Sequence, residues 1–165
     1  MYSLQYHLVW CTKYRKQVLK NGLDAECKKM LYELAEEYRF QILAMEVMPD
    51  HIHLLLDCKP QFFISDMIKI MKGNLARQLF LSHPELKREL WGGHLWNPSY
   101  CAVTVSDRSR DQVMAYIEGQ KEREKRKYLS NDWCFHLSHF LMTENPSLIY
   151  ECINKKGDVK TSICF

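Results

Sequence analysis

A chain of 165 residues with 47% hydrophobic and 12% aromatic side chains can close one ordinary core and not two, so a single domain is expected. Its formal charge of +3 is too mild to mark a nucleic-acid binder by bulk electrostatics, and any such role must rest on local clusters. No apolar run approaches the roughly 20 residues that cross a bilayer, which excludes a helical membrane span.

Residues 2–10 alternate, with Tyr2, Leu4, Tyr6, Leu8 and Trp10 on one side and Ser3, Gln5 and His7 on the other, the period-two pattern of a strand. The basic cluster Lys13-Tyr14-Arg15-Lys16 follows. From Asp24, read as a helix cap, the residues Cys27, Met30, Leu31, Leu34, Ala35 and Tyr38 form a helical stripe. Phe40 to Met48 is short and apolar and is closed by Pro49-Asp50, so it reads as a strand turning back into another at 51–57. Residues 65–81 carry Ile68, Met71, Leu75 and Leu79 at helical spacing, interrupted by Gly73. A long loop over 82–98 holds Trp91 and Trp96, a β-rich run spans 99–105, and a charged helix over 109–125 aligns Val113, Tyr116, Ile117 and Gln120 on one face.

The resulting order, β-α-β-β-α-β-α, predicts an α+β fold. It is a ferredoxin-like or RRM-like split βαβ sandwich, with helices on one face of a four-stranded antiparallel sheet and a last helix after it. The expected division is a domain over 1–127 and a tail over 128–165, which folds back or extends a contact. The seven cysteines are odd in number, and no pair has zinc-knuckle or redox spacing. Five fall in apolar runs as small buried hydrophobes. With no apolar leader, this usage predicts a reducing, cytoplasmic compartment.

The segment Pro49-Asp50-His51-Ile52-His53-Leu54-Leu55-Leu56 carries the chemistry. In a strand His51 and His53 share a face, roughly 6 to 7 Å apart, while Ile52, Leu54 and Leu56 take the other. A His-x-His pair is common in unrelated sequences. What gives this one weight is its apolar strand, because two unpaired imidazoles facing a core each carry a desolvation cost. Two convergent imidazoles suit a metal, which then needs further ligands and, if catalytic, an open position. His7, His83, His94, His136 and His139 show no helpful spacing, whereas Tyr116 and Gln120, four residues apart on a helix, can point together at one site.

Four stretches, Tyr6–Arg15 (YHLVWCTKYR), Met48–Leu55 (MPDHIHLL), Leu90–Trp96 (LWGGHLW) and Tyr116–Gln120 (YIEGQ), resemble in order and spacing the TnpA-type single-tyrosine transposases. These are HUH (histidine-hydrophobic-histidine) nucleases of insertion sequences that move as single-stranded DNA, and the likeness spans roughly residues 2–125. The resemblance implies that His51, His53 and Gln120 ligate a divalent metal, and that Tyr116 is the nucleophile that forms a 5′-phosphotyrosine link. It favours magnesium, with manganese a good substitute, whereas imidazole ligands alone would suit zinc or a late transition metal. It further implies a homodimer whose active sites are shared between subunits, with the connector Ser106–Arg110 suiting a movable arm. The substrate would be single-stranded DNA hairpins at the element ends.

The family commonly reads Tyr-Ile-Glu-Asn-Gln, so Gly119 stands where Asn is usual. Candidate DNA contacts are Lys13, Arg15 and Lys16 after the first strand and Lys69, Lys72 and Arg77 on the second helix, with Tyr14 stacking on a base. Trp91 and Trp96 read as packing residues. Two other readings stand beside the transposase: a domesticated nuclease bound to repetitive palindromes, and a non-catalytic single-strand nucleic-acid-binding module. The latter would normally present aromatic residues on an open sheet face.

Overall fold

The computed structural model describes residues 4–121 apart from 62, 107 and 108, together with the strand backbones at 150–153 and 159–162. In chain order the elements are β1 (Leu4–Cys11), α1 (Leu23–Tyr38), β2 (Gln41–Val47), β3 (His51–Cys58), α2 (Ile64–Ser82), a short α3 (Leu86–Glu89), β4 (Tyr100–Val105), α4 (Arg110–Glu118), β5 (Tyr150–Ile153) and β6 (Val159–Ser162). The strands lie in the order β2-β3-β1-β4-β5-β6, and every pairing is antiparallel. The first four reproduce the expected split βαβ plan. The tail expected over 128–165 supplies the two extra strands, which extend the sheet beyond β4. Trp133, Phe135, Phe140, His136 and His139 lie outside the described residues.

The period-two pattern of β1 and β3 sorts the side chains onto two faces. On one, Leu8, Trp10, Ile52, Leu54 and Leu56 join Cys27, Leu31 and Leu34 of α1 and Ile68, Met71, Leu75 and Leu79 of α2 in the main core. On the other, Val9, Leu55, Cys101 and Val103 pack under Val113 and Ile117 of α4. Thus α1 and α2 cover one face and the tyrosine helix covers part of the opposite one. Trp96 is buried, with its ring edge-on to Trp10 at 6.2 Å and its indole N–H donating to the Lys72 carbonyl at 2.9 Å. Cys11, Cys27, Cys58 and Cys101 are buried and form no disulfide. Among the described residues no helix is long and apolar enough to cross a membrane.

Two local expectations are corrected. Helix α1 is capped by Gly22, at φ 94°, with no side-chain cap; Asp24 instead lies in the first turn, where its charge meets the helix dipole. The last helix does not run unbroken to 125. It stops at Glu118, and Gly119 (φ −79°, ψ 2°) separates it from a new helical start at Gln120. Glycine's low helix propensity at the position where the resemblance expects Asn accounts for the break.

Gly73 lies inside α2, and a Cβ built on it meets nothing within 4 Å. Gly73→Ala therefore stabilises the protein by about 1 kcal/mol, measured by urea denaturation. An unchanged or lowered midpoint contradicts this reading of α2.

Candidate active site

The turn Met48-Pro49-Asp50 delivers the two histidines, and the end of β1 holds that turn. Thr12 donates to the Asp50 carbonyl from its backbone N–H at 2.8 Å and to the Lys16 carbonyl from its hydroxyl at 2.7 Å, and the Leu19 N–H donates to the Pro49 carbonyl at 3.0 Å. His51 and His53 then enter β3 on one face, at 3% and 1% exposure, with ring centroids 4.9 Å apart. Each imidazole is oriented through its Nδ1. His51 donates to Asp50 Oδ1 at 2.6 Å, and the other Asp50 oxygen accepts from Arg15 Nε at 2.8 Å. Burial alone would raise the Asp50 carboxyl, but its hydrogen bond with His51 and the charges of His51 and Arg15 hold it below the usual range.

His53 Nδ1 lies 3.2 Å from His7 Nε2, and the two rings stack at 5.4 Å. The register explains the contact: Val9 stands opposite His53, so His7, two residues along on the same face, reaches it diagonally. Burial holds His7 down at about 4. Burial first, then the neighbouring imidazoles of His51 and His7, which oppose a further positive charge, holds His53 well below its usual value. Both are thus neutral at physiological pH, the form that binds metals. With Nδ1 engaged, the buried Nε2 of His53 has no hydrogen-bond partner.

Tyr116 sits over this pair. Its half-buried ring lies edge-on to His53 at 5.8 Å and to His7 at 6.2 Å. Beyond Gly119, the Gln120 side-chain oxygen is buried without a hydrogen-bond partner. The next residue, Lys121, contacts Glu46 at 3.1 Å, and Glu46 stands opposite His53 on β2. The structure therefore brings His51, His53 and Tyr116 together and sets the chain around Gln120 against the neighbouring strand. Among the described residues no three His, Cys, Asp or Glu side chains form a metal cluster. His53 Nε2 and Gln120 Oε1, like His7 Nδ1, are among the buried atoms without a hydrogen-bond partner, and an imidazole nitrogen with an amide oxygen suits a cation of mixed nitrogen and oxygen preference.

The basic residues divide. Lys13–Arg15 forms a short 3-10 turn beside the histidine strand, with Tyr14 68% exposed at φ 57° and the Lys13 ammonium 5.3 Å from its ring. Lys16 is exposed, while Arg15 is turned inward to Asp50. Lys69 and Arg77 are exposed on α2, across the sheet from the histidines, with Lys69 paired to Asp66 at 3.2 Å. Lys72 donates to the carbonyls of Asn97, Pro98 and Ser99, and burial lowers its ammonium to about 8. It ties α2 to the loop before β4.

A family profile described as transposase, IS200-like, matches residues 1–120, a span that includes every residue of this site. The chain belongs to the IS200-like transposases. It is 49% identical to the ISDra2 transposase TnpA of Deinococcus radiodurans over 124 residues, covering 75% of this chain and 89% of that protein. It is 28% identical over 124 residues to the transposase of insertion sequence element IS200 from Salmonella typhimurium, covering 75% and 81% of the two chains. The crystal structure of a candidate transposase from D. radiodurans R1 superposes with a TM-score of 0.61 at 48% identity, over 73% of this chain and 92% of that one. A REP-associated tyrosine transposase bound to a REP hairpin shares the fold at 14% identity, with a TM-score of 0.57 over 75% of this chain and 72% of that one. The protein is a DNA transposase, an enzyme of DNA cleavage and strand transfer.

Sequence spacing missed His7, Asp50 and Arg15 as parts of the site. Only the β1–β3 register connects His7 with His53, and it is not written in either segment alone.

His7 gives the site a pH signature. Between about pH 6.5 and 4 the unfolded chain protonates this imidazole and the folded chain does not, so stability falls as pH falls through that window. The shift corresponds to about 3 kcal/mol. Urea unfolding of metal-free wild type and His7→Gln should diverge, the variant losing less stability between pH 7 and 4.5. Parallel pH profiles would mean that His7 protonates freely in the folded state.

Proposed function

We propose that the transposase cuts and rejoins single-stranded DNA through Tyr116, with His51, His53 and Gln120 holding a divalent cation, magnesium or, in its place, manganese. The observation that carries this reading is the phenol ring packed against an imidazole whose outward nitrogen is buried and unpaired. When bound, the cation draws charge from the non-bridging phosphate oxygens and lowers the barrier to an anionic nucleophile.

The residues of the chain do the rest. Asp50 and His7 set the tautomers and the aim of His51 and His53. In this reading the Tyr116 hydroxyl, carried by α4, approaches phosphorus in line. Its oxygen bonds to phosphorus as the bond to the 3′-oxygen breaks; the phenol proton leaves to solvent and the 3′-oxygen takes one up. The resulting 5′-phosphotyrosine keeps the energy of the broken bond, so a 3′-hydroxyl reverses the step without ATP.

A structural neighbour solved bound to a REP hairpin supports hairpin DNA as the ligand class. The exposed Tyr14, with Lys13 and Lys16, offers a ring and two cations beside the histidine strand for backbone and stacking contacts. A non-catalytic binding module is disfavoured, because α4 covers the face such a module would use. In this reading residues 1–127 are the catalytic domain and the tail, with β5 and β6, accompanies it. The protein works in the cytoplasm as a homodimer; in place of the shared sites that the resemblance implies, we take each tyrosine to serve the histidines of its own chain, the arrangement in which the Tyr116 ring meets His53.

Incubation with labelled single-stranded hairpin oligonucleotides and magnesium should give a denaturation-resistant adduct in wild type, none in Tyr116→Phe, and loss with His51→Ala or His53→Ala. An adduct in Tyr116→Phe moves the nucleophile elsewhere, and cleavage with no adduct points to attack by water. Subunit arrangement has its own test. Mixed and reassembled Tyr116→Phe and His51→Ala proteins should form no adduct, whereas recovered adduct would put each tyrosine in the partner's site.

A further inference from the structure

The break at Gly119 raises a mechanical question. Four residues apart on a continuous helix, Tyr116 and Gln120 would be held in register by the backbone, but here the helix stops between them. Something else must fix Gln120, whose side-chain oxygen is buried and unpartnered.

The next residue supplies a tether. Lys121 Nζ lies 3.2 Å from Asp24 Oδ2, in the first turn of α1, and 3.1 Å from Glu46 Oε1 on β2. Glu46 is 10% exposed at its side chain, and Lys28 of α1 contacts both of its oxygens, at 3.1 and 3.2 Å. Two ammonium groups thus lie against this carboxylate, which stands opposite His53, and its Oε1 makes ion-pair contacts without a hydrogen bond. The network wraps the edge strand β2, joining α1 on one face of the sheet to the segment after α4 on the other.

We infer that Lys121 is a positioning residue: by bridging Glu46 and Asp24 it holds Gln120, and with it the end of the tyrosine helix, against the histidine strand of its own chain. This rests on the metal-and-tyrosine reading above. A lysine beside an active site of this kind would otherwise be taken as a phosphate contact. Here two carboxylates already compensate its charge, and one of them is nearly buried, which favours the tether.

The test uses the full chain and Mn(II) alone as the probe, with free Mn(II) read by electron paramagnetic resonance. Lys121→Met should lower Mn(II) affinity on the order of tenfold, as loss of an outer-shell support does, and Lys121→Arg should restore most of it. In a Gln120→Ala background Lys121→Met should add no further loss, because the tether acts through Gln120. Affinity for an uncleaved hairpin oligonucleotide should be unchanged. Independently of metal, amide hydrogen exchange over residues 113–121 should quicken severalfold in Lys121→Met, with core amides unaffected.

Unchanged exchange in that segment overturns the tether whatever the metal does. So does a fall in hairpin affinity with Mn(II) affinity intact, which would make Lys121 a phosphate contact, or an equal further loss in the Gln120→Ala background. A wild type that shows the Lys121 dependence yet forms no DNA adduct overturns the tyrosine chemistry and leaves the tether standing.

Discussion

The site depends on keeping polar atoms dry. His53 Nε2 and Gln120 Oε1 are buried without partners, and a buried, unsatisfied polar atom costs about 1 to 3 kcal/mol. An apolar pair in their place would spare the fold that cost. The chain retains them beside His7 and His51 on a face whose apolar part is Val9, Leu55, Cys101 and Val103, and buried polar atoms left unpaired in this way mark a site of function rather than of packing. The neutral state of His7 and His53 follows from the same dryness, since burial disfavours imidazolium.

Around those atoms the fold is a set of supports at graded distance. The β1–β3 ladder fixes the backbone of both histidines, and Asp50 and His7 fix their rings. Arg15 then anchors Asp50, so the basic turn that faces solvent is joined to the buried His51 imidazole by two consecutive hydrogen bonds. A strand that gripped DNA with Tyr14 and Lys13 would press on the same turn, and Tyr14 and Arg15 already sit at positive φ, where non-glycine residues are uncommon. On the opposite face the main core of α1, α2 and the sheet supplies stability without touching the chemistry. One fold thus separates the histidine-bearing side from the side that holds it together.

Much of this was legible in the residues, and the reasons are local. Period two assigned His51 and His53 to one face and Ile52, Leu54 and Leu56 to the core, because strand geometry allows nothing else. The split βαβ order followed from alternating periods and the Pro49-Asp50 turn. What escaped is non-local. His7 matters only through the register opposite β3. Lys72 looks like a surface cation by helical spacing, yet three loop carbonyls some 25 residues on claim its ammonium. The helix break lay in plain view at Gly119, but propensity alone does not say whether packing overrides it. β5 and β6 read as an irregular polar end, and their pairing beyond β4 required the sheet edge to be known.

The central claim, that two neighbouring imidazoles of β3 bind a divalent cation, is tested most directly by counting nitrogens. In electron spin-echo envelope modulation of the Mn(II)-loaded protein, the account predicts couplings from two imidazole nitrogens in wild type, from one in His51→Ala and from one in His53→Ala. A Mn(II) spectrum without imidazole coupling, or one unchanged by both substitutions, would contradict it.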